Sequence, residues 1–203
     1  MSMSEHYYTK DPVSAHDERT IHVRALGTEA VFTTDAGVFS RDDLDDGTRI
    51  LLEALPELNG RVLDLGCGWG PVGVLLKKTR PALDIVMTDV NSRAVSLAER
   101  NLKANGARAE VVQGDGYENV TGKFTAVITN PPIRAGKAAI YGFFHDAKEH
   151  LEPDGRLFIV IRKQQGAPSA LKFLKEEYAS AKVISREKGF WVIEAGLTEA
   201  DDE

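Results

Sequence analysis

From Arg61 onward, short apolar runs alternate with longer segments whose apolar residues recur every three or four positions. The short runs predict strands at Val62–Leu65, Ile85–Thr88, Ala109–Gln113, Phe124–Thr129 and Arg156–Ile161. The longer segments predict helices from Gly70 to about Lys78, over Ser92–Asn105 with Gly106 as its stop, over Ala138–His150, and over Ser169–Tyr178. Arg156–Ile161 is apolar almost throughout, as a central strand covered on both faces must be. Strand and helix in alternation predict an α/β fold, an open, mostly parallel sheet with helices on both faces. Lys182–Arg186 and Phe190–Glu194 flank Lys188-Gly189 and read as a closing hairpin that makes one edge antiparallel. Before Arg61 the pattern differs. Ile21–Leu26 and Ala30–Thr34 flank Gly27-Thr28-Glu29 and predict a small hairpin. Asp42–Leu55 predicts a helix with Ser40 as its cap and Leu44, Ile50, Leu51, Leu52 and Leu55 on its apolar face.

Residues 1–17 mix aromatic and charged side chains without a period, so a loose or clasping segment is expected over 1–19. A single domain with an N-terminal hairpin and helix is expected over 20–196, and an acidic tail over 197–203. The chain has 203 residues, 42% of them hydrophobic, enough for one core. Cys67 is the only cysteine, which argues against a disulfide or a cysteine metal cluster and for the cytosol. The polar N-terminus has no apolar signal core. No apolar run reaches the ~18 residues of a membrane span, so a cytoplasmic protein without membrane or metal partners is expected. The net charge of −6 argues against broad electrostatic capture of nucleic acid, DNA included, while leaving room for a local basic patch.

The chemistry concentrates at predicted strand ends, where open α/β sheets bind ligands. Asn130-Pro131-Pro132 ends the strand Phe124–Thr129, because two successive prolines remove two backbone donors. Alone, that tripeptide also suits a plain strand-ending turn. Its amide and free carbonyls can, however, hold a planar amino group by two acceptors. Asp64-Leu65-Gly66-Cys67-Gly68-Trp69-Gly70 ends the first parallel strand and opens a helix. Gly66, Gly68 and Gly70 permit backbone angles that a Cβ forbids, and a close approach to a ligand. Asp89-Val90 follows the second strand, where a carboxylate accepts ribose hydroxyls. Asp115-Gly116 follows the third and is placed to accept from an adenine amino group, although a turn Asp between glycines reads the same way.

Gly68–Gly73 also matches the dinucleotide fingerprint. Pro71 deletes a donor that a pyrophosphate would use, and Asp64 places negative charge where an ammonium group fits better. A cofactor with an amino-acid end and a ribose end suits both acids, and S-adenosyl-L-methionine is such a molecule. Trp69 reads as packing over the loop, and Cys67 as a small residue with no His to activate it. His145 and His150 are five apart on one helix and read as structural or solvated. The acids Asp42-Asp43 and Asp45-Asp46 lack calcium-loop spacing and suit a helix N-terminus.

In this order, the glycine loop, the acid after strand two, the Asp after strand three and Asn-Pro-Pro after strand four resemble class I S-adenosylmethionine-dependent methyltransferases. More narrowly, the chain is similar to the methyltransferase small domain family, which includes guanine-N2 methyltransferases of small-subunit ribosomal RNA. The resemblance runs from about Thr20 to Ala195. It includes Gly37-Val38-Phe39-Ser40, with Asp45 and Gly47, which in that family precede the sheet and help to close the cofactor pocket. It implies a Rossmann-like, seven-stranded sheet with a reversed last strand. It also implies S-adenosylmethionine as methyl donor, S-adenosyl-L-homocysteine as product, and a target amino group held by the Asn130 side-chain oxygen and the Pro131 carbonyl. Many family members carry Tyr or Phe after Asn-Pro-Pro, where Ile133 stands here. An apolar contact would remain, and Phe39, Tyr141 or Arg134 would have to supply stacking.

Arg134, Lys137, Arg162 and Lys163 follow two adjacent predicted strands, and such a cluster would bind phosphates of ribosomal RNA or a small-subunit particle. An ordinary solvated set of loop charges is the plainer alternative. Larger guanine-N2 enzymes carry a second, inactive copy of the fold, which leaves a single copy to act as a monomer or homodimer, or on a partly assembled particle. Two other functions compete. One is methylation of a protein glutamine, whose enzymes have a large N-terminal helical domain and an aromatic residue at position 133. The other is nucleotide or RNA binding without catalysis, against which the intact Asp64, Asp89 and Asn130 argue.

Overall fold

The computed structural model describes residues 9–12 and 14–199. A two-stranded antiparallel hairpin, β1 (Arg19–Ala25) and β2 (Thr28–Thr34), turns tightly through Leu26-Gly27, both in the left-handed region. Helix α1 (Asp46–Ala54) follows. The chain then alternates β3 (Arg61–Leu65), α2 (Pro71–Thr79), β4 (Asp84–Asp89), α3 (Ser92–Ala104), β5 (Glu110–Gln113), β6 (Phe124–Thr129), α4 (Lys137–His150), β7 (Leu151–Arg162), α5 (Ala167–Glu177), β8 (Ser180–Glu187) and β9 (Phe190–Gly196). The main sheet has the order β5-β4-β3-β6-β7-β9-β8, with β9, the last strand in the chain, antiparallel to both of its neighbours. This is the expected seven-stranded, Rossmann-like arrangement.

Period-two alternation along each strand builds two cores. Val62, Ile128, Phe158, Val160 and Val192 face the side covered by α1, α2, α3 and the hairpin. Leu63, Val127, Leu157, Ile159 and Ile193 face α4 and α5. That double burial is why β6 and β7 are apolar nearly throughout.

Most boundaries lie within two residues of expectation, and two differ by more. Helix α1 begins four residues after Asp42, and Ser40 does not cap it. Ser40 instead takes a positive φ of 51° and donates its hydroxyl to the Asp43 carbonyl. Leu44 is drawn into the core, and the Asp45 side chain accepts the Thr48 N–H at 2.9 Å, satisfying an otherwise orphaned first-turn donor. Strand β7 starts at Leu151 rather than Arg156. Leu151 pairs with Phe124 and Arg156 with Ala126, so Pro153-Asp154-Gly155 bulge out of a continuing strand. A Cβ on Gly155 would lie 2.7 Å from the Phe124 carbonyl oxygen, a closeness only glycine permits.

The described part of the N-terminal segment lies across the start of α3. The Ser92 N–H donates to the Lys10 carbonyl, and the Arg93 guanidinium donates to the Ser14 and Ala36 carbonyls at 2.7 and 2.6 Å. Residues 1–8 of the expected loose segment and residues 200–203 of the expected acidic tail lie outside the described residues.

Candidate active site

At the carboxyl ends of β3, β4, β5 and β6 lies a cavity of about 450 Å³, within the range of small-molecule sites. Its floor is the turn after β3. Gly66, Gly68 and Gly70 have φ of 74°, 55° and 92°, angles that β-carbon-bearing residues rarely adopt. The N–H groups of Gly66 and Cys67 both donate to the Thr88 carbonyl at 2.9 Å, tying this turn to β4. Pro71 then starts α2, where a missing N–H costs nothing.

Two carboxylates stand on this floor. Asp64 is 3% exposed and accepts the Gly73 N–H at 3.1 Å. Burial pushes its pKa up to about 7; the Gly73 hydrogen bond opposes that rise and the charge of Asp89 adds to it. Asp89 accepts the Gly68 N–H at 2.8 Å through one oxygen and the Asn91 N–H at 2.9 Å through the other. Burial raises its pKa as well, against these hydrogen bonds. Thr88 Oγ1 is the one buried side-chain polar atom among the described residues without a partner, and it belongs to a wall residue of the cavity. A ligand carrying both a cation and hydroxyls fits this donor and acceptor set.

Val90, Asp115 and Gly116 form the next part of the wall. Gly116 has φ of 56°, and a Cβ there would lie 2.7 Å from the Phe143 ring on α4. Cys67 lines the cavity but is buried, and its burial and the two acids push its thiol pKa well up, so it is no thiolate nucleophile. Trp69 packs edge-on against Phe32 and donates its indole N–H to the Phe39 carbonyl at 2.9 Å, holding Phe39 at the cavity wall.

Asn130, Pro131 and Pro132 form the wall at the end of β6. The Asn130 amide nitrogen donates to Asp45 Oδ1 at 3.1 Å and to Thr48 Oγ1 at 3.0 Å, the cap and the first turn of α1. Ile133 does not share this wall. It packs against the core beneath α4, so the expected apolar contact is not made at the cavity. Of the three stacking candidates only Phe39 lines the cavity. The Tyr141 ring lies 4.4 Å from Phe173 and under the Lys137 ammonium.

The four basic residues follow the ends of the paired strands β6 and β7. Arg134 and Lys137 lie in and after the short turn before α4, and Arg162 and Lys163 lie where β7 ends. The Arg162 guanidinium covers the Phe190 ring, and the Lys163 N–H donates to Gly189, so the β8–β9 turn braces this edge. Sequence reasoning missed Thr48, Phe143 and Asp146 as wall residues. Ala139, Gly142, Phe143 and Asp146 recur at helical spacing along one side of α4, after Ala135 in the preceding turn, a pattern that was visible in principle.

Comparison with known proteins places this geometry. The model of the methyltransferase small domain family matches residues 29–194. The uncharacterized protein YbxB of Bacillus subtilis is 41% identical over 198 residues, covering 95% of this chain and 98% of YbxB. Ribosomal RNA small subunit methyltransferase C of Aeromonas hydrophila is 36% identical, covering 83% of this chain but 50% of its own length. The structure of the T. thermophilus 16S rRNA N2 methyltransferase RsmC, in complex with AdoMet and guanosine, superposes with a TM-score of 0.81 at 27% identity, over 91% of this chain and 52% of RsmC. The chain thus spans about half of these two named enzymes.

Proposed function

Because the chain belongs to the methyltransferase small domain family, we propose that it methylates the N2 amino group of a guanine in small-subunit ribosomal RNA, with S-adenosylmethionine as methyl donor. The observation that carries this reading is the meeting, in one cavity, of the two-acid glycine floor and the Asn130-Pro131-Pro132 wall. The relatives named for ribosomal RNA methylation support the substrate class. A base stacked on Phe39, rather than on residue 133, completes the proposed pocket.

In this reading Asp64 neutralises the ammonium of the donor, Asp89 accepts from its ribose, and Asp115 accepts from its adenine amino group. Bound S-adenosylmethionine supplies a methyl carbon made electrophilic by its sulfonium. Asn130 Oδ1 and the Pro131 carbonyl accept from the two hydrogens of the target amino group. Such acceptors draw the nitrogen lone pair out of conjugation and aim it, and positioning of this kind supplies ~7–11 kcal/mol. A strong base is not required, because the nitrogen becomes acidic only after methylation. Arg134, Lys137, Arg162 and Lys163 hold the flanking phosphates.

Asn130→Ala tests the assignment. Turnover on small-subunit particles is expected to fall at least ~100-fold, a loss of transition-state positioning, with S-adenosylhomocysteine affinity nearly unchanged. Equal loss of both would remove Asn130 from the reaction.

A further inference from the structure

We propose that the first turn of α1 sets the amide orientation of Asn130, with Thr48 and Asp45 as positioning residues, and so restricts the acceptor to a group that donates hydrogens. This rests on the function proposed above. An Asn side chain is nearly symmetric in shape, and rotating it by half a turn exchanges an acceptor for a pair of donors. A reversed Asn130 would point N–H groups at the N–H groups of its target. Something must therefore hold the amide one way round.

The structure supplies two acceptors on the far side. Asp45 Oδ1 and Thr48 Oγ1 take the two Asn130 amide hydrogens at 3.1 and 3.0 Å, which leaves Oδ1 as the group available to a ligand. The Asp45 oxygen is itself fixed, because the same atom caps α1 through the Thr48 N–H. A carboxylate oxygen has no hydrogen to offer, so the reversed amide sets two oxygens face to face at Asp45, while the Thr48 hydroxyl, which accepts here, adds a hydrogen bond that holds the amide in place. Thr48 is 4% exposed, and its competition with water is correspondingly small.

The turn has little freedom to yield. A Cβ on Gly47 would lie 2.9 Å from the Phe190 ring and 3.1 Å from Asp45 Oδ1, so the backbone of α1 is seated directly against β9. Segments 82 and 85 residues away in the chain thereby orient the side chain at the end of β6. An unprotonated ring nitrogen or a carbonyl oxygen, which needs a donor, finds none at Asn130. An amino group finds an acceptor.

The test combines side-chain amide NMR with kinetics. The Asn130 NH₂ signals are assigned by their loss in Asn130→Ala, and their hydrogen exchange is measured without substrate. Protection of both hydrogens is expected in the wild type, and of only one in Thr48→Val. Turnover of Thr48→Val on small-subunit particles is expected to fall about ten-fold, the scale of one lost hydrogen bond, with the S-adenosylhomocysteine Kd changed less than about two-fold. Thr48→Ser, which keeps the hydroxyl, is expected to restore both readouts. If Thr48→Val does not fold, Asp45→Gly removes the other acceptor while costing the helix cap only a few tenths of a kcal/mol. Wild-type hydrogens that exchange like a free amide would overturn the inference. So would full turnover in Thr48→Val beside an inactive Asn130→Ala, or parallel loss of turnover and cofactor affinity. An Asn130→Ala variant as active as the wild type would instead overturn the proposed function.

Discussion

Asp64 carries the most quantitative consequence of the site. Its carboxyl titrates near 7 in the cavity and near 3.8 in an unfolded chain. Only the ionised form complements an ammonium group. Below pH 7 the donor must therefore bind to a site that has first lost a proton. At pH 6 about one molecule in eleven is ionised, so the affinity is about ten-fold weaker than its limit, or ~1.4 kcal/mol. Asp89 is also raised by burial. The ligand's own α-amino group, that of a free amino acid with its carboxylate beside it, sets an alkaline limb above the range of about 7.7–8.0 of a chain terminus. Affinity for S-adenosylhomocysteine is expected to peak between these limits and to fall toward pH 6.

The same shift has an opposite effect on the empty fold. Between pH 3.8 and 7 the unfolded chain releases this proton first, so stability falls as pH rises, by up to about 4 kcal/mol by pH 8. Asp64→Asn removes that cost and retains an oxygen for the Gly73 N–H. The variant is expected to melt higher than the wild type at pH 8 without ligand, to bind S-adenosylhomocysteine weakly, and to lose most of the pH dependence between 6 and 7.5. Calorimetric titration at several pH values, with melting curves alongside, reads all three. A wild-type affinity that does not change from pH 6 to 7.5, or an Asp64→Asn variant that binds normally, would refute the ammonium assignment.

Three further outcomes are expected. Lys163→Ala should weaken binding to small-subunit RNA and reduce the slope of log affinity against log salt by roughly one, measured by filter binding; an unchanged slope would refute the basic edge. Gly116→Ala should weaken S-adenosylhomocysteine binding at least ten-fold (about 1.4 kcal/mol), because it combines a positive φ with a Cβ 2.7 Å from Phe143; unchanged calorimetric affinity would show that this wall is not used. Arg93→Ala removes the donors to the Ser14 and Ala36 carbonyls. It should speed proteolysis within residues 9–18 and lower affinity for S-adenosylhomocysteine, because Gly37, bonded to Asn91 beside Asp89, loses its brace; unaltered proteolysis would show that the clasp is held elsewhere.

The parts of the site legible in the sequence were those that sit at strand ends. Asp64, Asp89 and Asn130 each follow an apolar run, and the topology of a parallel sheet brings such positions together without further information. The glycines announced their positive φ because the loop had no other use for three of them. The start of α1 was not legible. Ser40, Asp42, Asp43 and Asp45 are all competent caps by local chemistry, and the choice of Asp45 depends on Leu44 entering the core and on Asn130, 85 residues away, sharing the capping oxygen. Pro153-Asp154-Gly155 reads as a turn locally. It is a bulge because Leu151 already pairs with Phe124, a contact outside any sequence window. Phe143 and Thr48 lie inside helices, and only the assembled fold shows which helical positions border a cavity.

The central claim is transfer of a methyl group to guanine N2 in small-subunit ribosomal RNA. Its most direct measurement incubates the purified protein with methyl-labelled S-adenosylmethionine and, in parallel, small-subunit particles, free ribosomal RNA and total cell protein, followed by digestion to nucleosides and amino acids. Label recovered as N2-methylguanosine from the particles or the RNA is the predicted result. Label recovered only from protein, or only from a different nucleoside, would contradict the account.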